Sequence, residues 1–325
     1  MTKLLQVKNL SVNFELKKSW FRKTTTVHAV DDISFDVYAG ETIGIVGESG
    51  SGKSTLARSI VGLNKVTAGE IIFDDKINIM QATAAMQHKL LHKHIQYIFQ
   101  DPIAALNPRM TVLEIISEPL IINYPHYSKE QVKEKVLQMM SVVGLSANQL
   151  ERYASEFSGG QCQRIGIARA LILEPKLLIC DESVSALDAS IKAQILNLLQ
   201  DLQKKFNLTI IFISHDLSVI KHICDRVMVM YLGKVMELSS KENLYKGAKH
   251  PYTTALLAAI LTPNLKLVPT KNKTLLEGDM PSPINPPLGC VFSTRCPKAD
   301  SQCKLSRPPL QEFADGTFAA CYKIS

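Results

Sequence analysis

Residues 47–54 read Gly-Glu-Ser-Gly-Ser-Gly-Lys-Ser, the pattern G-x-x-x-x-G-K-[ST], set between the apolar run 42–46 and a helix-like run over 55–63. The pattern carries meaning only as a strand, a tight glycine loop and a helix in that order, and that order is present. Glycines at 47, 50 and 52 let the backbone bend and come close to an anion. Loop N–H groups and the positive end of the following helix can then surround phosphates. Glu48, Ser49, Ser51 and Thr55 complete the expected cradle; Lys53 is placed to reach β- and γ-phosphates, and the Ser54 hydroxyl to ligate Mg²⁺. A Gly/Ser-rich loop with a chance Lys-Ser would lack the flanking strand and helix. The motif alone states that a nucleotide binds.

The rest of the pattern predicts a parallel sheet. Residues 176–180 and 208–214 are short, strongly apolar runs ending at Asp181-Glu182 and His215-Asp216, with helical stretches over 162–173 and 190–206. Strands this apolar are buried on both faces, and loops at their carboxyl ends are expected to gather at the phosphate loop. Asp181 can hold the water shell of a metal ion from a dry, rigid platform, and Glu182 beside it can polarise a water. Residues 4–14 alternate loosely in polarity, as an antiparallel strand does, and a second run over 29–37 leads toward the phosphate-loop strand. Residues 86–155 are mostly helical in period. Ser128 can cap a helix that carries Val132, Val136, Met139, Met140 and Val143 and ends at Gly144, with its methionines in the core. The strand-like run ending at Gln100, before Asp101-Pro102, offers an amide to Mg²⁺ or water. Phe14 can stack on an adenine ring or pack the core, and Trp20 is a further stacking candidate.

Composition narrows the setting. The chain has 325 residues, 46% hydrophobic and 21% charged, enough for one large domain and a smaller one. A net charge of +7 over that length reads as a solvated surface, so no nucleic-acid partner is expected. Charges interrupt the apolar residues of the first ten positions, so they do not form a signal peptide, and no apolar run approaches the roughly 18 residues a membrane span needs. Any membrane role is therefore borrowed from partner chains.

The C-terminal stretch has its own chemistry. Prolines 263, 269, 281, 283, 286 and 287 read as a linker or irregular appendage. Beyond them Cys290, Cys296, Cys303 and Cys321 follow at intervals of five, six and seventeen residues. In a reducing compartment such grouping points to a metal rather than to disulfides. Structural zinc favours closer pairs, whereas an iron–sulfur cluster accepts wider spacing and often has proline beside a ligand, as at Cys296-Pro297. A [4Fe-4S] cluster, zinc, or plain buried thiols all stay open, and the role expected is a structural staple remote from the phosphates.

Ser158-Gly-Gly-Gln161, with Gln100 before it and Asp181-Glu182, Ser185-Ala-Leu-Asp188 and His215 after it, resembles the ATP-binding cassette family over roughly residues 4–260. The resemblance implies an α/β fold with ATP and Mg²⁺ as ligands: a P-loop cassette with a RecA-like parallel-sheet core, an antiparallel β subdomain, and a helical subdomain over about 86–165. A small cysteine-containing extension would cover 261–325. It also implies two cassettes closing head to tail, so that Ser158, Gly159 and Gly160 serve the partner's γ-phosphate, with Gln161 and Asp188 among the nucleotide contacts. His215 would touch the γ-phosphate and help Glu182 hold the attacking water, with Gln100 and Asp181 at the Mg²⁺.

Segments 47–50, 99–102, 106–109, 157–164, 184–188, 250–252 and the tail from Pro281 through Pro297 are similar to the oligopeptide/dipeptide importer ATPases. Phe157 and Val184-Ser185 look like the second of the two non-identical ATPases such importers carry. Ser183 departs from the family's usual proline. The implied partners are that other cassette ATPase, two transmembrane permease subunits and an extracytoplasmic substrate-binding protein, with the chain on the cytoplasmic face of the membrane. Some similar ATPases hold a four-iron cluster in this tail. The cargo stays open among peptides, nickel and other small cationic solutes. A cassette acting on DNA or ribosomes would show a coiled-coil insertion or a second cassette, and a nucleotide-binding regulator would not need both Glu182 and His215.

Overall fold

A computed structural model describes residues 2–16, 25–82, 91–260 and 278–324. Its strands are β1 (Lys3–Leu16), β2 (Thr25–Tyr38), β3 (Thr42–Val46), β4 (Ala68–Phe73), β5 (Ile95–Ile98), β6 (Leu177–Asp181), β7 (Thr209–Ser214), β8 (Arg226–Tyr231), β9 (Lys234–Ser240), β10 (Gln311–Glu312) and β11 (Phe318–Ala319). Its main helices are α1 (Lys53–Ile60), α2 (Val112–Asn123), α3 (Lys129–Val142), α4 (Gly159–Leu171), α5 (Ala189–Phe206), α6 (Leu217–Ile223), α7 (Lys241–Gly247), α8 (Pro251–Ile260) and α9 (Ser301–Leu305). The chain divides into two compact units, one of residues 1–4, 38–41 and 77–213, the other of 5–37, 42–76 and 214–325.

In the first unit β5, β6 and β7 run parallel, with Ile98 opposite Cys180 and Asp181 opposite Ile213. Every residue of β6 and β7 is buried, as their mostly apolar runs require of strands covered on both faces. Helices α2, α3 and α4 each start on a hydroxyl residue (Thr111, Ser128, Ser158) paired with Glu or Gln three positions on, a reciprocal cap that fixes where each begins. Val132, Val136, Met139 and Met140 are buried on α3, so the methionines are core. The α5 helix opens on Asp188 and closes on Asn207 in the left-handed conformation.

In the second unit β3 pairs in parallel with β8, and β1 pairs antiparallel with β4. The β8–β9 hairpin turns through Leu232 and Gly233, both with positive φ, the geometry that matches the twist of two adjacent antiparallel strands. The sequence pattern fades after Gly233, yet β9 is a nearly fully buried strand. Glu237 hides its regularity: its buried carboxylate accepts the N–H groups of Lys249 and His250, both at 2.9 Å, just ahead of α8. The C-terminal segment then pairs β11 with β9 and β10 with β11. Trp20, Pro263 and Pro269 lie outside the described residues.

Candidate functional site

The glycine loop leaves β3 at Val46 and ends where Lys53 opens α1. Gly52 takes φ +99, and a Cβ there would stand 2.2 Å from the Ala29 carbonyl oxygen, so only glycine fits. The loop is tied down from below. The Gly233 N–H donates to the Ser51 carbonyl at 3.0 Å and the Asp31 N–H to the Gly233 carbonyl at 2.9 Å. Lys53 is only 4% exposed, and its ammonium donates to the carbonyls of Gly47 (2.8 Å) and Glu48 (3.0 Å). A buried cation, the N-terminus of α1 and a first turn without acidic residues make this loop an anion seat. Ser54 and Thr55 are half-buried in that first turn, while Ser49 and Gly50 are exposed at the loop's tip.

The loop has a neighbour that sequence reasoning missed. Arg295, from the cysteine-bearing tail, donates from Nη1 to both carboxylate oxygens of Glu48 at 3.0 Å. The Glu48 N–H in turn donates to the Tyr252 hydroxyl at 3.0 Å. The tail is therefore not remote from the phosphate loop, contrary to expectation; it grips the loop's second residue across 247 positions of sequence. Elsewhere in this unit His215 is exposed at the end of β7, ahead of the Asp216 cap of α6. Phe14 lies on β1 at 40% exposure, outside the packed core.

In the other unit Asp181 ends β6 at 1% exposure, and the Tyr97 hydroxyl donates to its Oδ2 at 2.5 Å. Glu182 follows with φ +47, in the left-handed region, its N–H bound to the Ile213 carbonyl at 3.0 Å. Gln100 donates its amide to Glu182 Oε2 at 3.1 Å. Gln100 and Glu182, two of the residues that the sequence marks for metal and water chemistry, are thus in contact, and Asp181 precedes Glu182 at the end of β6. Ser183, where the family usually has proline, is buried. The Ser158 hydroxyl accepts the Gln161 N–H at 3.4 Å while Gln161 Oε1 accepts the Ser158 N–H at 3.1 Å, leaving Ser158 exposed and Gly159 part-exposed at the start of α4. Asp188 accepts the Ile191 N–H at 3.0 Å, also at an exposed helix start.

The four tail cysteines are neighbours. Burial, with a smaller contribution from the charges of Cys296, Cys303 and Cys321, pushes the Cys290 thiol up to about 11. Burial likewise raises Cys296 and Cys321, each also lifted by Cys303. The Cys290 N–H donates to the Cys303 carbonyl at 2.7 Å, and Asp300 caps α9 through the Cys303 N–H at 3.0 Å. Yet among the described residues no group of three or more His, Cys, Asp or Glu side chains is placed to hold a metal ion. The thiols are close enough to feel one another's charge without converging on one ion.

Comparison with known proteins agrees with this geometry. Residues 30–185 match the family model for ABC transporters, and residues 236–303 match that for the oligopeptide/dipeptide transporter C-terminal region. The oligopeptide transport ATP-binding protein OppF of Haemophilus influenzae is 57% identical, covering 99% of this chain and 97% of its own. OppF of Escherichia coli is 52% identical over 99% and 96%, and the Bacillus subtilis relative AppF is 48% identical over 99% and 98%. A dimeric ATP-binding cassette solved in a post-hydrolysis state with ADP and phosphate has a TM-score of 0.65 at 28% identity, covering 73% of this chain and 99% of that one. The cbiO1 cassette of Clostridium perfringens gives 0.65 at 27% identity, covering 81% and 97%.

Proposed function

This chain belongs to the ATP-binding cassette family, as an ATP-hydrolysing subunit of the oligopeptide importer type, and on that premise we propose how its residues divide the work. Lys53, Ser54 and the loop from Gly47 to Thr55 take the triphosphate. Asp181 and Gln100 take the water shell of Mg²⁺, with Ser54 as a direct ligand. Bound there, the ion neutralises phosphate charge. Glu182 is the general base that accepts a proton from the attacking water, His215 steadies the γ-phosphate, and Ser158, Gly159, Gly160, Gln161 and Asp188 serve the partner's nucleotide. Phe14, partly exposed on β1, is the candidate to stack on adenine. The observation that carries this reading is the buried Lys53 ammonium turned into the glycine loop, beside the Gly47 and Glu48 carbonyls and the Ser51 hydroxyl.

The reading extends to partners: a second, non-identical cassette, two permease subunits and an extracytoplasmic peptide-binding protein, with this chain on the cytoplasmic face of the membrane. What supports it is the near full-length likeness to oligopeptide transport ATP-binding proteins. In addition, no helix among the described residues is long and apolar enough to cross a membrane. For the tail, a [4Fe-4S] cluster with zinc as the alternative stays the proposal, and what supports it is that Cys290 has Cys296, Cys303 and Cys321 as charge neighbours.

The test is reconstitution. Alone, the chain should bind Mg-ATP and turn it over slowly; adding the second cassette and the permeases in vesicles should raise turnover, and Lys53→Ala should abolish it. Full transporter-like hydrolysis by a strictly monomeric sample contradicts the assignment of the signature residues to a partner's nucleotide.

A further inference from the structure

Glu48 poses an electrostatic problem. It is a carboxylate inside a loop built to receive a polyanion, and the chain answers it from 247 residues away. Arg295 is 6% exposed at its side chain and sets Nη1 on both Glu48 oxygens at 3.0 Å and on the Tyr231 hydroxyl at 3.3 Å. Its guanidinium also lies 5.8 Å from the centre of the Tyr231 ring. Behind it Tyr231, Tyr252 and Phe292 are fully buried and meet edge to face or tilted, with centroids 4.7 to 5.3 Å apart. Phe292 and Arg295 come from the tail, Tyr231 from β8 and Tyr252 from α8, so three segments lock one side chain. Tyr252 closes the arrangement by accepting the Glu48 N–H.

An anchor for a loose tail would need only apolar contact, which Phe292 already supplies. A buried cation aimed at the loop's one carboxylate does something else. We infer that Arg295 is a positioning residue of the ATP site: it neutralises Glu48 and fixes its direction, so that the phosphate loop meets the triphosphate without a negative charge of its own. The inference rests on the phosphate-loop reading above. Because like charges close together in a partly buried loop repel strongly, the effect grows with the charge of the nucleotide, and ATP must feel it more than ADP.

The experiment measures ATP and ADP dissociation constants by calorimetry with Mg²⁺, on the full chain, for wild type, Arg295→Met, Glu48→Gln and the double variant, each checked for folding by circular dichroism. Arg295→Met should weaken ATP by about ten-fold or more and ADP by less. Adding Glu48→Gln should recover most of that loss, because no charge is left to neutralise; a purely structural role for Arg295 predicts no recovery. The inference is overturned by an Arg295→Met variant with unchanged ATP affinity, by equal losses for ATP and ADP, or by a double variant no tighter than the single. If Arg295→Met does not fold, Arg295→Gln with and without Glu48→Gln gives the same comparison, and the pair must bind ATP more tightly than Arg295→Gln alone. A wild-type chain that binds neither nucleotide, or that binds both unchanged after Lys53→Ala, sinks the phosphate-loop reading instead.

Discussion

The side-chain amide of Gln100 donates to a carboxylate oxygen of Glu182 at 3.1 Å, joining the end of one parallel strand to the turn that follows its neighbour. An amide N–H₂ can only donate, so the carboxylate oxygen of Glu182 is the acceptor. Glu182→Gln keeps the size and shape of the site but removes the base. ATP should still bind, and the hydrolytic step should slow by about 10²-fold or more, with an ATP-bound dimer accumulating. Single-turnover kinetics beside equilibrium ATP binding check this; turnover near that of wild type would move the role to His215 or elsewhere.

Two glycines of the phosphate loop separate strain from collision. Gly50 has φ +81 with nothing within 4 Å of a new Cβ, so Gly50→Ala should lose only the backbone term, about 1 kcal/mol. At Gly52 the same change adds a 2.2 Å approach to the Ala29 carbonyl, which is backbone and cannot rotate away. Gly52→Ala should therefore destabilise the chain by more than about 2 kcal/mol. Urea unfolding of the two variants checks the order, and equal losses would mean that the Ala29 carbonyl yields.

What could be read from the sequence had short range. Strand β6 and its acid pair, the cap at Ser158 and the helix capped by Ser128 are each written within a dozen residues, by an apolar run or a hydroxyl paired with Glu or Gln. Strand β9 was illegible because Glu237 breaks the apolar run, and only the fold shows that its carboxylate is satisfied by N–H groups from 249 and 250. Arg295 was illegible for a different reason. A single arginine in a proline-rich tail reads as a solvated charge, and no local rule links it to Glu48. Phe292, three residues earlier, was the available hint, since a large aromatic in a segment with little core must find one elsewhere.

His250 sets an acid limit on stability. It is buried between the β9 carboxylate and the tail, its Nδ1 accepting the Tyr252 N–H at 3.1 Å, and burial lowers its pKa from 6.5 to about 4. The native state thus binds fewer protons than the unfolded chain between those values. Stability should fall as pH drops from about 6.5 toward 4, by up to about 3 kcal/mol. Glu237 acts in the opposite sense, because burial raises its pKa and acid favours its native form. His250→Asn keeps an acceptor for Tyr252 and removes the proton site while Glu237 stays. Its unfolding midpoint should depend less on pH than that of wild type over this window. Parallel curves for the two proteins would remove His250 as the cause.

The tail cysteines give the last prediction. Cys290, Cys296, Cys303 and Cys321 are partly or fully buried neighbours, and burial together with the nearby thiols raises the pKa of Cys290, Cys296 and Cys321. A cluster would hold them as metal-bound thiolates. The segment that holds them has only short α9 and the two-residue strands β10 and β11 for regular structure, so coordination would also stabilise it. Chain purified without oxygen should carry roughly four irons and absorb in the visible. Cys303→Ala should lose that colour and lower the unfolding temperature. Because Arg295 sits beside Cys296, loss of the metal should also weaken ATP binding, a readout independent of colour. Stoichiometric zinc, or neither metal with unchanged stability in Cys303→Ala, would remove the cluster and leave the phosphate loop and its arginine as they stand.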